Sequence, residues 1–157
     1  SCPVGGTRQV ALRLGMVLGK EGGAWPTLRR LAMLGGGGRN GSGNQMVSWI
    51  HLTDVCRIIQ FVATHDELEG PVNAVSPYPL KNKEFMAKMR RYTGAVPGIP
   101  QPEWLVKAGA WITGTDASLA LRGNNVYPSK LLEAGFQFTY ALADDAMAEL
   151  SGRKTVV

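Results

Sequence analysis

Cysteine is scarce: Cys2 and Cys56 are the only two in 157 residues. Two thiols cannot build a disulfide framework or a four-cysteine zinc site. His51 and Asp54 lie near Cys56, but no ordinary metal site has that spacing and set, so no metal is expected. Asp54 reads as a helix-start acid and Cys56 as a small core residue. Long apolar runs are also missing. None approaches the roughly 20 residues a membrane-spanning helix needs, and no membrane partner is expected. The start, Ser1 to Gly6, lacks the charged lead and apolar core of a signal peptide. A reducing, cytoplasmic setting is the expectation. Acids are few, 12 against 17 Lys and Arg, giving a net charge of +5. The basic balance comes as much from scarce acids as from abundant bases. It reads as solvated surface charge, with nucleic-acid binding disfavoured.

The hydrophobic content, 45%, is that of an ordinary globule, and the length suits one domain. Glycine is abundant: 20 residues, twelve of them between Gly5 and Gly43.

The chain reads as alternating short strands and helices. Val10–Leu14 and Met16–Leu18 are expected as strands around a turn at Gly15. A helix starts near Pro26, with Leu28, Leu31 and Ala32 as its apolar stripe, and Gly35–Gly38 stop it. Residues 45–51 read as one strand. Thr53-Asp54 starts a helix with Val55, Ile58, Ile59 and Val62 facing the core. Val72–Val75 is a strand and Ser76–Pro79 a loop. Asn82 is expected to cap a helix with Phe85, Met89 and Tyr92 inside, closed by Gly94. A proline-rich connector and helical stretches over Trp104–Ile112 and Thr115–Leu121 follow. Pro128–Ala134 reads as a short helix ended by Gly135, and Leu142, Ala146, Met147 and Leu150 mark a last one. Widely separated strands of this kind belong to a parallel or mixed sheet with crossovers.

Tempting motifs fail on context. Gly36-Gly37-Gly38-Arg39-Asn40-Gly41 matches G-x-G-x-x-G. However, a helix precedes it and a strand follows, the reverse of a dinucleotide fingerprint. It reads instead as a flexible loop near a cleft. Gly15 to Lys20 is one residue short of a phosphate loop, and Glu21 replaces the magnesium-binding hydroxyl. The bases Lys81, Lys83, Lys88, Arg90 and Arg91 read as the wet face of one helix. No tyrosine is followed four residues later by lysine, and no Ser-His-Asp or Cys-His set stands out. No catalytic residue is assigned.

Several segments together carry a resemblance. They are Leu12-Arg13-Leu14-Gly15-Met16-Val17-Leu18-Gly19, Gly41-Ser42-Gly43-Asn44-Gln45, Ser48-Trp49-Ile50-His51-Leu52-Thr53-Asp54, Gly70-Pro71-Val72-Asn73-Ala74-Val75-Ser76-Pro77 and Pro128 to Phe136. In this order the chain resembles the C-terminal half of the atypical extended short-chain dehydrogenase/reductase family described as sugar-nucleotide epimerase-like. Some members of that family carry a cell-division-inhibitor label.

The resemblance implies an α/β fold: late strands and helices of a Rossmann-like sheet plus a small, mainly helical C-terminal lobe. Residues 1–80 would finish the NAD(P)-binding domain and carry a substrate-lobe insertion. Residues 81–157 would form the family's lobe of unknown function. It further implies cofactor contacts at Arg13, Gly15 and Val17 and substrate contacts at Gln45, Trp49, His51 and Asn73. NAD(P) is expected in the full-length parent, with no tight binding to this chain alone. The expected partners are a small-molecule substrate, with a nucleotide sugar as candidate, and the missing N-terminal half or a second copy. Many nucleotide-sugar epimerases place an arginine two residues beyond the position of Gln45. Val47 stands there instead and offers no forked donors to a diphosphate. The alternative reading is a non-catalytic interaction module linked to cell division, with the Trp104–Trp111 face and the basic helix as contact surfaces.

Overall fold

The computed structural model describes residues 7–95 and 123–153. The expected helices over 104–112 and 115–121, with the Trp104–Trp111 face, lie outside these residues. So do the connector at 97–102, Cys2 and the last four residues.

The elements run β1 (Val10–Leu14), β2 (Met16–Leu18), α1 (Trp25–Leu31) and a π-helical turn (Ala32–Gly36). Next come β3 (Met46–Val47), β4 (Trp49–His51), α2 (Leu52–Thr64), β5 (Gly70–Ala74), β6 (Leu80–Lys81) and α3 (Asn82–Thr93). Then follow α4 (Ser129–Glu133) and α5 (Ala143–Ser151). The fold is mixed α/β. β1 pairs with β5 in parallel, from Val10 opposite Gly70 to Leu14 opposite Ala74. β2 pairs with β4 in parallel, and β3 with β6 antiparallel.

The chain changes partner twice. At Gly15 it leaves β5 for β4: Gly15 N–H donates to Ala74 O at 3.2 Å and Met16 N–H to Ser48 O at 2.9 Å. A Cβ on Gly15 would lie 2.7 Å from Ser48 O and 2.8 Å from a Val75 methyl, so only glycine fits the crossing. The second change is at Ser48, which divides the single strand expected over 45–51. Before it the chain pairs with β6; after it, with β2. Hydrophobic alternation alone cannot show a change of partner, because it continues through the break.

Alternating side chains feed two cores. Trp49 joins Leu18, Trp25, Phe85, Met89, Tyr92 and Met147 on one side of the strands. Ile50 joins Val55, Ile58, Val62, Val72 and Phe136 on the other. Fully burying a large aliphatic or aromatic side chain contributes about 1.5–3 kcal/mol, so these faces outweigh the weak preferences of two- and three-residue strands.

Some expectations need correction. Ile59 is 53% exposed rather than in the α2 core stripe. Its neighbours at i−1 and i+3, Ile58 and Val62, already fill the narrow face. Cys56 is exposed too, on the outer side of the same helix. Leu31 and Leu142 lie outside the cores. Asn82 does not cap α3; its side chain accepts the Asn40 N–H at 2.8 Å instead. Asp54 does lie in the first turn of α2, but the N–H groups it accepts come from Thr139 and Tyr140. The glycine-rich loop is pinned: Gly43 O accepts from Lys83 N–H and Gln45 O from Asn82 N–H. Two bases of the supposed wet face are engaged, Lys88 with Asp144 and Arg90 with Gly37 O.

Candidate functional site

A cleft of about 840 Å³ opens where the strands change partner. Its floor is Arg13 to Met16, the end of β1 and the start of β2. Ligands in open α/β sheets commonly settle at such carboxyl-end switch points, because the diverging strands leave a crevice there.

Two walls rise from this floor. One is an amide triangle. Asn40 N–H donates to Asn82 Oδ1 at 2.8 Å, Gln45 Nε2 donates to Asn40 O at 2.9 Å, and Asn82 N–H donates to Gln45 O at 2.8 Å. The triangle fixes the glycine loop against the first turn of α3. The other wall is the segment Asn124–Tyr127. Ser48 Oγ donates to Asn124 O at 2.5 Å and accepts Val126 N–H at 3.0 Å. Asn73 Nδ2 donates to Tyr127 O at 3.2 Å. Met16, Val47, Phe85 and Met86 supply an apolar surface between the walls.

Arg13 is the one charged side chain among the described lining residues. It is exposed and has no ion pair among them. The cleft therefore offers one fixed cation, several amides and an apolar surface. That combination suits a polar ligand carrying negative charge or none. No base–nucleophile pair stands among the described lining residues.

Of the expected site residues, the structure brings Arg13, Gly15, Gln45 and Asn73 together around this cleft. Val17, Trp49 and His51 do not line it. Val17 packs into the second core, and its carbonyl accepts Ala24 N–H at 2.8 Å. Trp49 is fully buried, its Nε1 donating to Tyr78 O at 3.2 Å. His51 is buried at the α2 N-cap: Nδ1 accepts Thr53 N–H at 3.2 Å and Nε2 lies 3.1 Å from Glu149 Oε2. Its ring leans on Tyr140 at 4.1 Å between centroids. Sequence reasoning missed Asn40, Ser48, Asn82 and Asn124. Such residues signal turns and caps, and nothing local reveals that they converge.

The residues only partly fit a dinucleotide. Of the expected cofactor contacts, Arg13 and Gly15 line the cleft and Val17 does not. A pyrophosphate cradle, a glycine turn between strand and helix, is not found among the described residues, since Gly36 ends a π-helical turn and β3 follows the glycine loop.

Comparison with known proteins is consistent with this geometry. Residues 101–150 match a family described as a domain of unknown function, DUF1731. The chain is 32% identical over 152 residues to the epimerase family protein YfhF of Bacillus subtilis, covering 96% of the chain and 49% of that protein. It is 36% identical over 148 residues to the epimerase family protein Mb2239 of Mycobacterium bovis, covering 94% and 48%. Among solved structures, human epimerase family protein SDR39U1 (isoform 2) with NADPH superposes with a TM-score of 0.83 at 33% identity, covering 94% of this chain and 50% of that one. The nucleoside-diphosphate sugar epimerase of Corynebacterium glutamicum gives 0.72 at 26% identity, covering 96% and 28%. The chain thus spans about half the length of the curated relatives it matches. Together with the mixed α/β fold, these relationships make the chain similar to extended short-chain dehydrogenase/reductase-like proteins of the epimerase family.

Proposed function

We propose that the chain forms the substrate side of an NAD(P)-dependent epimerase/reductase-like protein. In this reading residues 1–80 complete a Rossmann-like unit and residues 81–157 form a substrate-side lobe. The observation that carries the reading is the cleft at the Gly15 crossing, which gathers Arg13, Gly15, Gln45 and Asn73. The NADPH-bound relative supports the choice of cofactor class. When bound, the nicotinamide accepts or donates hydride. Arg13 holds the anionic part of cofactor or substrate, and the Asn40–Gln45–Asn82 triangle orients substrate hydroxyls. The phenol of a Tyr-x-x-x-Lys pair is the usual proton carrier, and this chain has no such pair. It is therefore inactive alone. Val47 lines the cleft and supplies no diphosphate contact, so a ligand with a single anionic group fits better than a nucleotide sugar.

Amide NMR of the purified chain tests this. Nicotinamide mononucleotide at millimolar concentration should shift the amides of Arg13 to Met16 and of Asn73, and adenosine, which has no phosphate, should not. Gly15→Val should abolish those shifts by wedging β1 away from Ser48. Shifts confined to residues away from the cleft, or NADPH turnover by the chain alone, would overturn the reading.

A further inference from the structure

The α1 tip is an apolar knob ringed by arginines, and we propose that it docks on an anionic lipid surface. Leu34 is 78% exposed, Met33 58% and Leu31 38%. Leu31 and Leu34 share the outer face at i, i+3, and Arg30 joins them at i, i+4 from Leu34. The knob is not a collapsed loop. Trp25 and Ala32 are buried beneath it, Leu28 packs on the same core, and Arg90 donates to Gly37 O at its base. Gly35 then turns the chain at φ 84°, and a Cβ there would meet nothing within 4 Å. The tip thus projects into open space on a braced stem.

Charge decides between a lipid and a protein partner. No Asp or Glu occurs from Gly22 to Thr53, whereas Arg29, Arg30 and Arg39 do. All three arginines are exposed, and none has an ion pair among the described residues. Arg91 is exposed on the last turn of α3, next in sequence to Arg90, which reaches the base. Exposed leucines and methionine flanked by unpaired arginines match the division of an interfacial anchor, apolar residues in the acyl boundary and cations among headgroups. Each such cation strengthens attraction to an anionic leaflet by roughly fivefold in partition. The absence of long apolar runs excludes a span but leaves this mode open, since it needs only a few exposed side chains on one braced turn.

Vesicle co-sedimentation of the purified chain is the test. It should bind vesicles of about 30% phosphatidylserine in phosphatidylcholine and leave pure phosphatidylcholine largely unbound at about 0.1 M salt. The double change Met33→Ser with Leu34→Ser should remove binding, and Arg30→Gln should weaken it about fivefold. Ile59→Ser, at a comparably exposed apolar residue on α2, should leave it unchanged. All these positions are exposed, so matching melting curves will show that folding is intact. No binding to anionic vesicles, or equal binding by the Met33/Leu34 variant, overturns the proposal. So does binding that Ile59→Ser removes as well. If the Met33/Leu34 change instead abolishes self-association and spares vesicle binding, the knob is a protein contact and the lipid proposal fails.

Discussion

Asp54 shows how much one residue can hold. It is 0% exposed, yet every contact compensates its burial. Oδ1 accepts Thr139 N–H at 2.8 Å, Oδ2 accepts Tyr140 N–H at 2.9 Å, and Arg57 sits 3.2 Å away. Arg57 also donates to Gln137 O at 2.8 Å and bonds the Thr139 hydroxyl. One acid and one base therefore fasten the segment ahead of α5 to the first turn of α2. Removing one partner from such a buried network leaves backbone donors unpaired. Asp54→Ala should cost about 3 kcal/mol, read as a lower midpoint in urea unfolding with unchanged slope. A loss under ~1 kcal/mol would mean that water replaces the carboxylate. A helix-start role was legible at Asp54 from Thr53-Asp54 alone. Its true partners lie 85 and 86 residues away in sequence, where no local pattern reaches.

At the scale of elements, α2 and α3 are the most legible. The spacing of Val55, Ile58 and Val62, and of Phe85, Met89 and Tyr92, marks the buried faces. The start of α2 is less obvious, because its cap is His51 rather than Thr53. With Nδ1 accepting from Thr53 N–H, the ring proton sits on Nε2 and points at Glu149 of α5. The same ring thus caps one helix and ties down another. His51→Asn should keep the cap and lose the tie, and His51→Ala should lose both. The alanine variant should be roughly 1 kcal/mol less stable than the asparagine one, measured by thermal or urea unfolding. Equal losses would show that packing against Tyr140 is the whole of its role. The short strands were harder to read. β6 has two residues, and β3 and β4 are separated only by Ser48, so pairing rather than propensity defines them.

For the whole molecule, the question is what completes the sheet. Among the described residues β1 pairs only with β5, so its other edge presents unpaired N–H and C=O groups. Leu14, 53% exposed, lies at the end of that edge. Two parallel strands form a marginal sheet, and parallel sheets are normally covered on both faces. The chain on its own should therefore self-associate, and sedimentation velocity should show species heavier than the 16.9 kDa monomer. A monodisperse monomer at tens of micromolar would mean the edge is covered by other means.

The sequence by itself determined the order of strands and helices, the inward faces of the longer helices and the family likeness. Periodicity and turn chemistry act over a few residues, and an ordered set of motifs needs no coordinates. Only the tertiary structure decided where the strands change partner, which amides converge on the cleft, and that Trp49 is buried in the core and His51 caps α2, both outside the cleft lining. It also decided that Leu34 stands in solvent. These outcomes depend on which distant backbone atoms compete for a hydrogen bond and which side of a strand another element covers. Neither is encoded in any local stretch of residues.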